Sequence, residues 1–229
     1  MTALRLSYQT VEFGKIDIHL CTLRNNQEFY DPTGIAEKLG ISSASWPIFG
    51  IVWPSSLVLA NYMLDYKTEG KRILEIGCGI ALSSLLLNEK HADITATDYH
   101  PEVELFLNRN TQLNNGKSIA FERVDWANDT SKLGLFDIII GSDLLYEDEH
   151  VQLLAYFIKN HASEKCDVII VDPGRGRKNK LSVKLAEFGF ISSHIKPVHT
   201  DYLTLPFKGY ILVFSRDNVV TESKTITTL

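Results

Sequence analysis

The sequence predicts an α/β fold in which a parallel sheet is covered by helices on both faces and closed by a pair of antiparallel strands. Three observations carry this. From Lys71 onward, short runs rich in Ile, Val and Leu alternate with helical patterns, as strands buried on both faces require. The first of these runs, Arg72–Ile76, opens directly into Gly77-Cys78-Gly79, a sharp turn from strand into helix. The last two, Phe190–Ile195 and Tyr210–Phe214, are joined by an irregular Pro-containing linker without the helical crossover that parallel neighbours need. They are therefore expected to pair antiparallel, giving seven strands with a reversed strand at the edge.

The elements follow in order. Tyr8 to Leu23 holds two extended runs, YQTVEF and IDIHLCTL, separated by Gly14-Lys15, which reads as a hairpin. Asn25 to Gly50 mixes Pro, Gly, Ser and aromatics without a clean period and reads as a lid-like loop with one short helix near Ile35–Leu39. Pro54 sits where a first helical turn tolerates it, and SSLVLANYMLDY supplies a mostly apolar helix ending before Gly70. The sheet then builds up through strands at Arg72–Ile76, Asp93–Thr97, Ile119–Val124, Phe136–Gly141 and Val168–Val171. Helices are expected at Ala81–Asn88, Pro101–Leu113, Glu149–His161 and Lys178–Phe188. The implied organisation is an N-terminal hairpin and lid-like loop over 1–49, a main α/β domain over 50–216 and a polar tail over 217–229.

Composition narrows the function classes. With 229 residues, 45% of them hydrophobic, the chain can bury a full core. Its net charge is −5 and its strongest basic stretch is Arg175-Gly176-Arg177-Lys178, which reads as a solvated loop, so a nucleic-acid partner is not expected. Cys21, Cys78 and Cys166 are too scattered for a disulfide framework or a metal knuckle. The opening MTALRLSYQT lacks a charged region followed by an apolar one, and no segment approaches eighteen consecutive apolar residues. A cytoplasmic, unprocessed monomer without membrane contact is the expectation.

The glycine turn points to a ligand. Gly77 and Gly79 let a ligand approach bare backbone while the following helix aims amide hydrogens at it. Asp98 ends the next strand, nineteen residues after Gly79, where an acid accepts hydrogen bonds from ribose hydroxyls. Together they indicate an adenosine cofactor. A dinucleotide site wants a third glycine where this chain has Leu82, which disfavours NAD. S-adenosyl-L-methionine carries no pyrophosphate, and Glu75, just before the glycines, suits its ammonium end. Tyr99, next to the acid, either covers an adenine face or is a surface aromatic.

The pattern resembles the Rossmann-like, seven-stranded S-adenosylmethionine-dependent methyltransferase fold, with its antiparallel last strand, preceded here by the hairpin extension. Four stretches, GIVWPSSLVLANYML, LEIGCGIALSSL, VDWAND and GSDLLYEDE, occur in the order seen in the protein lysine methyltransferases of that class. The resemblance implies an acid-x-x-Tyr motif at the active site, here Asp143-Leu144-Leu145-Tyr146, with Asp143 and Tyr146 as catalytic residues. It implies cofactor contacts from Asp125-Trp126, by the adenine, from Trp53 of the Trp-Pro pair and from Ser142, beside Glu75, Gly77, Cys78, Gly79, Asp98 and Tyr99. The family usually has glycine where this chain has Ala81, a small change in volume for which a slightly tighter turn is expected.

The resemblance thus implies transfer of a methyl group to a lysine of a protein substrate. That amine must lose its proton, at a cost of roughly 4–5 kcal/mol at neutral pH from an unperturbed pKa of about 10.4. A carboxylate nearby raises that pKa, so Asp143 is cast as an orienting acceptor and Tyr146 as a wall of the methyl channel. The alternatives are a small-molecule N-methyltransferase, a non-catalytic nucleotide-binding module, and an O-methyltransferase in which Asp143 and Asp172 share Mg²⁺. The last lacks a third oxygen ligand, because Pro173 follows Asp172. No metal ligand set is assigned, and Glu147, Asp148 and Glu149 read as first-turn acids with Asp148 as N-cap.

Overall fold

A computed structural model describes residues 4–27, 29–31 and 33–217. Most of the expected polar tail, 218–229, lies outside these residues. Strands β1 (Leu6–Phe13) and β2 (Ile16–Leu23) form the N-terminal antiparallel hairpin. Helix α1 (Ile35–Lys38) and a 3₁₀ turn at Ile48–Gly50 lead to α2 (Pro54–Leu64). Next come β3 (Arg72–Ile76), α3 (Leu82–Glu89), β4 (Asp93–Asp98), α4 (Val103–Leu113), β5 (Ala120–Arg123), β6 (Phe136–Ser142) and α5 (Asp148–His161). The described chain closes with β7 (Ala162–Asp172), α6 (Lys178–Ala186), β8 (Ile191–Ile195) and β9 (Tyr210–Arg216).

The main sheet runs β5-β4-β3-β6-β7-β9-β8, parallel through β7 and antiparallel at both pairings of β9. The reversed strand therefore lies one place in from the edge, not at it. Burial explains the placement. YILVF in β9 puts Ile211, Leu212 and Phe214 in the core, as an interior strand must, whereas all five residues of β8, ISSHI, are exposed. Strand β7 also begins earlier than the apolar run suggests, because Cys166 and Asp167 pair with Arg216 and Ser215.

The two faces of the sheet make two cores. Ile73, Ile138, Ile140 and Ile169 pack with Val58 of α2, Leu85 of α3 and Phe106 of α4. Leu74, Ile139, Val168 and Ile170, on the opposite pleat, pack with Leu154 of α5 and Leu181 of α6. Each fully buried Ile or Leu contributes about 1.5–3 kcal/mol. Phe13, Ile18, Leu20 and Leu23 of the hairpin join the first core. Strand β2 is fastened by two side-chain amides, from Asn110 of α4 and from Asn114 at the C-cap of that helix. Asn110 bonds the N–H and C=O of Cys21 at 2.7 and 3.3 Å, and Asn114 bonds those of His19, both at 2.7 Å.

Candidate active site

All five parallel strands present their carboxyl ends to one edge of the sheet. The chain leaves β3 for β4 and β5 and returns to β6 on β3's other side, so the loops after β3 and β6 flank the switch point at which open α/β sheets form their ligand crevice. Every site residue predicted from the sequence, apart from Trp53 and the buried Glu75, sits in or just past one of these strand ends.

On the β3 side, Gly77, Gly79 and Ala81 take left-handed φ values of 59°, 53° and 58°. A Cβ on Gly77 would stand 2.5 Å from Leu144 Cδ2, and one on Gly79 3.1 Å from the Phe49 carbonyl oxygen. The first contact locks the glycine turn to the acid-x-x-Tyr loop. Ala81 differs from the usual glycine chiefly in backbone strain, not in the volume expected to matter.

Acidic residues organise this turn. Asp98 accepts hydrogen bonds from the N–H groups of Gly79 and His100, both at 2.8 Å, and burial pushes its pKa upward. Glu75 is buried and accepts from the Ser84 N–H at 2.9 Å and from the Ser84 hydroxyl. It serves as a tertiary cap for α3, whose N-cap, Ala81, has no capping side chain. Burial pushes Glu75 up to about 7 against the opposing bonds from Ser84. Cys78 donates its N–H to Thr97 O at 2.9 Å, and its side chain is buried.

The segment before α2 is fastened across the same edge. Phe49 stacks on His100 with centroids 4.1 Å apart, flanked edge-on by Phe29 and Phe106. Burial drops the His100 pKa to about 4. The Tyr99 hydroxyl donates to Leu39 O at 2.6 Å, and Trp53 Nε1 donates to Ile48 O at 2.9 Å. Beyond β5, Asp125 caps the 3₁₀ turn Trp126–Asn128 by accepting from the Ala127 N–H and the Asn128 amide. Trp126 packs toward His150 and Phe157 of α5. Ser142, partly exposed, ends β6.

The β6 side is built from charge. Asp143 takes φ 55° and donates its N–H to Val171 O at 2.8 Å. Its carboxylate, 8% exposed, is held by Arg175 through Nε and, at 2.9 Å, through Nη2. The same guanidinium lies 4.1 Å above the Tyr146 ring centroid. Asp172 accepts from the N–H groups of Gly174 and Arg175 at 3.0 and 3.4 Å, which fixes the turn that carries the arginine. Burial, aided by the Asp143 charge, pushes Tyr146 up to about 12, so its hydroxyl stays protonated. Arg175 was expected in a solvated loop; it is instead a wall of the site. Its only sequence signal is a cation just past β7, the strand beside β6. Asp148 is not an N-cap but the first residue of α5, paired with Arg177 and Lys180. Among the described residues, no group of three or more His, Cys, Asp or Glu is placed to hold a metal ion.

The family model described as lysine methyltransferase matches residues 37–186, from α1 through α6. The chain belongs to that lysine methyltransferase family. Rat histone-arginine methyltransferase METTL23 is 33% identical over 118 residues, 47% of this chain and 52% of its own. The mouse electron transfer flavoprotein beta subunit lysine methyltransferase is 26% identical over 152 residues, 65% of this chain and 59% of its own. The chain spans about half the length of the curated relatives it matches. A methyltransferase from Pyrococcus furiosus superposes with a TM-score of 0.56 over 72% of this chain and 84% of its own; at 20% identity this likeness bears on the fold alone. Among the described residues no helix is long and apolar enough to cross a membrane.

Proposed function

We propose that this family member binds S-adenosyl-L-methionine beside the glycine turn and transfers its methyl group to a lysine side chain of a protein. The observation that supports the proposal is the close approach of Gly77 to Leu144, which sets the glycine turn against the loop that carries Asp143 and Tyr146. The donor set fits the cofactor. Asp98 keeps lone pairs for hydroxyls after accepting two backbone N–H groups, and Glu75, poised near neutrality, suits an ammonium group. Trp53, Tyr99, Asp125, Trp126 and Ser142 are the further cofactor contacts that we assign.

When bound, the cofactor supplies an electrophilic methyl on a positively charged sulfur, which an uncharged nitrogen displaces in line. The protein's part is alignment and exclusion of water. Tyr146, held protonated, walls the channel, and Asp143 orients the entering amine, whose proton leaves to water. Arg175 already balances Asp143, and Asp172 accepts two backbone N–H groups, which favours this reading over Mg²⁺ shared between them. Three buried free thiols favour a reducing, cytoplasmic setting.

The test is calorimetry with S-adenosylhomocysteine and with NAD, followed by radiolabelled methyl transfer into cell extract. We expect micromolar binding of the first ligand, far weaker binding of NAD, and label on protein lysine. Equal binding of NAD would return the glycine turn to a dinucleotide site.

A further inference from the structure

An acceptor carboxylate alone is a poor neighbour for a nucleophilic amine, because an anion within about 4–6 Å stabilises the ammonium form, which has no lone pair to give. The crevice resolves this conflict with a residue that the acid-x-x-Tyr motif does not contain. Arg175 grips both oxygens of Asp143 in a two-pronged pair, its guanidinium plane covers Tyr146, and Asp172 fixes the Arg175 backbone. The Asp143 side chain is 8% exposed and that of Arg175 35%, so the cation is the more exposed half of the pair.

We propose that Arg175 is a positioning residue that cancels the Asp143 charge at the acceptor pocket, so that the site accepts a nitrogen able to shed its charge, a lysine amine, and rejects a permanently charged guanidinium. This rests on the methyl-transfer reading above. The charged and titratable groups around the pair are Tyr146, Asp172, Arg177, whose Nη1 donates to the carbonyl oxygens of Leu145 and Arg175 at 3.4 and 3.3 Å, and Asp98, which acts on Tyr146 from the end of β4. Tyr146 stays neutral, Asp172 is bound to backbone amides, and Asp98 stands on the cofactor side. These surroundings are shared by the wild type and the variants below, so the Asp143–Arg175 balance sets the change in charge met by the acceptor. Arginine, with a pKa above about 12, cannot be deprotonated and would face Arg175 with no carboxylate left to offset it. One unbalanced unit charge about 5 Å away, at an effective dielectric near 20, moves an amine pKa by roughly two units.

The experiment compares the wild type, Arg175→Gln and the double variant Arg175→Gln/Asp143→Asn. Initial rates of methyl transfer from saturating S-adenosylmethionine into cell extract are measured from about pH 6.5 to 10, beside the dissociation constant for S-adenosylhomocysteine. The single variant leaves Asp143 unbalanced, so the midpoint at which rate rises with pH should move up by at least about one unit, a loss of roughly tenfold at pH 7.5 that is recovered at high pH. In the double variant the net charge is again zero, and the midpoint should return to within about half a unit of the wild type even if the rate is lower. S-adenosylhomocysteine affinity should change by less than about threefold in both. If the single variant loses the same factor at every pH, or the midpoint of the double variant stays raised, the inference is overturned. Should Arg175→Gln fail to bind S-adenosylhomocysteine, the double variant alone decides by the same criterion. A wild type that binds the product but labels nothing at any pH overturns methyl transfer itself, an outcome distinct from both.

Discussion

Asp98 and Asp143 end neighbouring halves of one crevice, yet their oxygens meet different partners: two backbone amides for Asp98, the fork of one guanidinium for Asp143. The β3–β4 half is held by backbone conformation, with N–H donors around a carboxyl group whose pKa burial pushes upward and which keeps spare lone pairs. The β6–β7 half is held by an ion pair whose charges cancel. One half is equipped to accept hydrogen bonds from a polar ligand, and the other presents an ion pair beside Asp172.

The sharpest way to break this division is to ask whether the halves fail separately. Asp143→Asn and Tyr146→Phe should each lower methyl transfer by about a hundredfold while changing cofactor affinity less than about threefold, since we assign both to the reacting amine and neither to the cofactor. Parallel loss of cofactor binding, read by calorimetry, would merge the two halves into one.

Asp98→Ala should do the opposite. Loss of a charged acceptor costs about 1.5–3 kcal/mol, or ten- to a hundredfold in cofactor affinity, with the fold retained. Asp98→Asn keeps an acceptor for one of the two amides and should fall between the wild type and Asp98→Ala. An unchanged dissociation constant in a folded Asp98→Ala protein would mean that the ribose is held elsewhere.

Glu75 supplies a stability test within the backbone-built half. Its folded pKa of about 7 lies above the ordinary 4.5, so the native state binds the extra proton across that window. The stability this provides is fully present below about pH 4.5 and lost as pH rises to about 7. Glu75→Gln, which retains an acceptor for Ser84, should therefore be more stable than wild type at pH 8, on the order of 2–3 kcal/mol, and should lack this pH dependence. Denaturant midpoints at pH 5 and pH 8 decide it; parallel slopes for the two proteins would place the titration in another residue. Ala81→Gly is the smallest expected effect. Relief of a left-handed alanine, worth about 1–2 kcal/mol, is offset by one buried methyl and a more flexible unfolded chain, leaving a gain near 0.5 kcal/mol in the same measurement.

The same division separates what the sequence discloses from what it hides. The glycine turn at Gly77 and Gly79 and the place of Asp98 beside it are legible because they depend on spacing along two consecutive strands, and the bounds of β3 follow from the apolar run itself. The hairpin and the antiparallel end of the sheet follow from local patterns as well. Arg175 is not legible, since its partner lies 32 residues away and the pair exists only because β6 and β7 are neighbours. The position of β9 was readable in YILVF against ISSHI, but connectivity alone suggests an edge. Ala81 misleads when weighed by volume, because only the backbone angle shows why glycine is usual there.

Asn110 and Asn114 do more than fasten the hairpin. By engaging the N–H and C=O of Cys21 and His19, they occupy groups on an open strand edge that would otherwise template another extended chain. Each amide offers one donor and one acceptor, as a paired strand would, so this edge is shielded from intermolecular sheet growth without adding charge. The shield depends on the difference between an amide and an acid. An aspartate at either position presents two acceptors, one of them facing a carbonyl, and turns a satisfied edge into a repelled and open one with the hydrophobic core untouched.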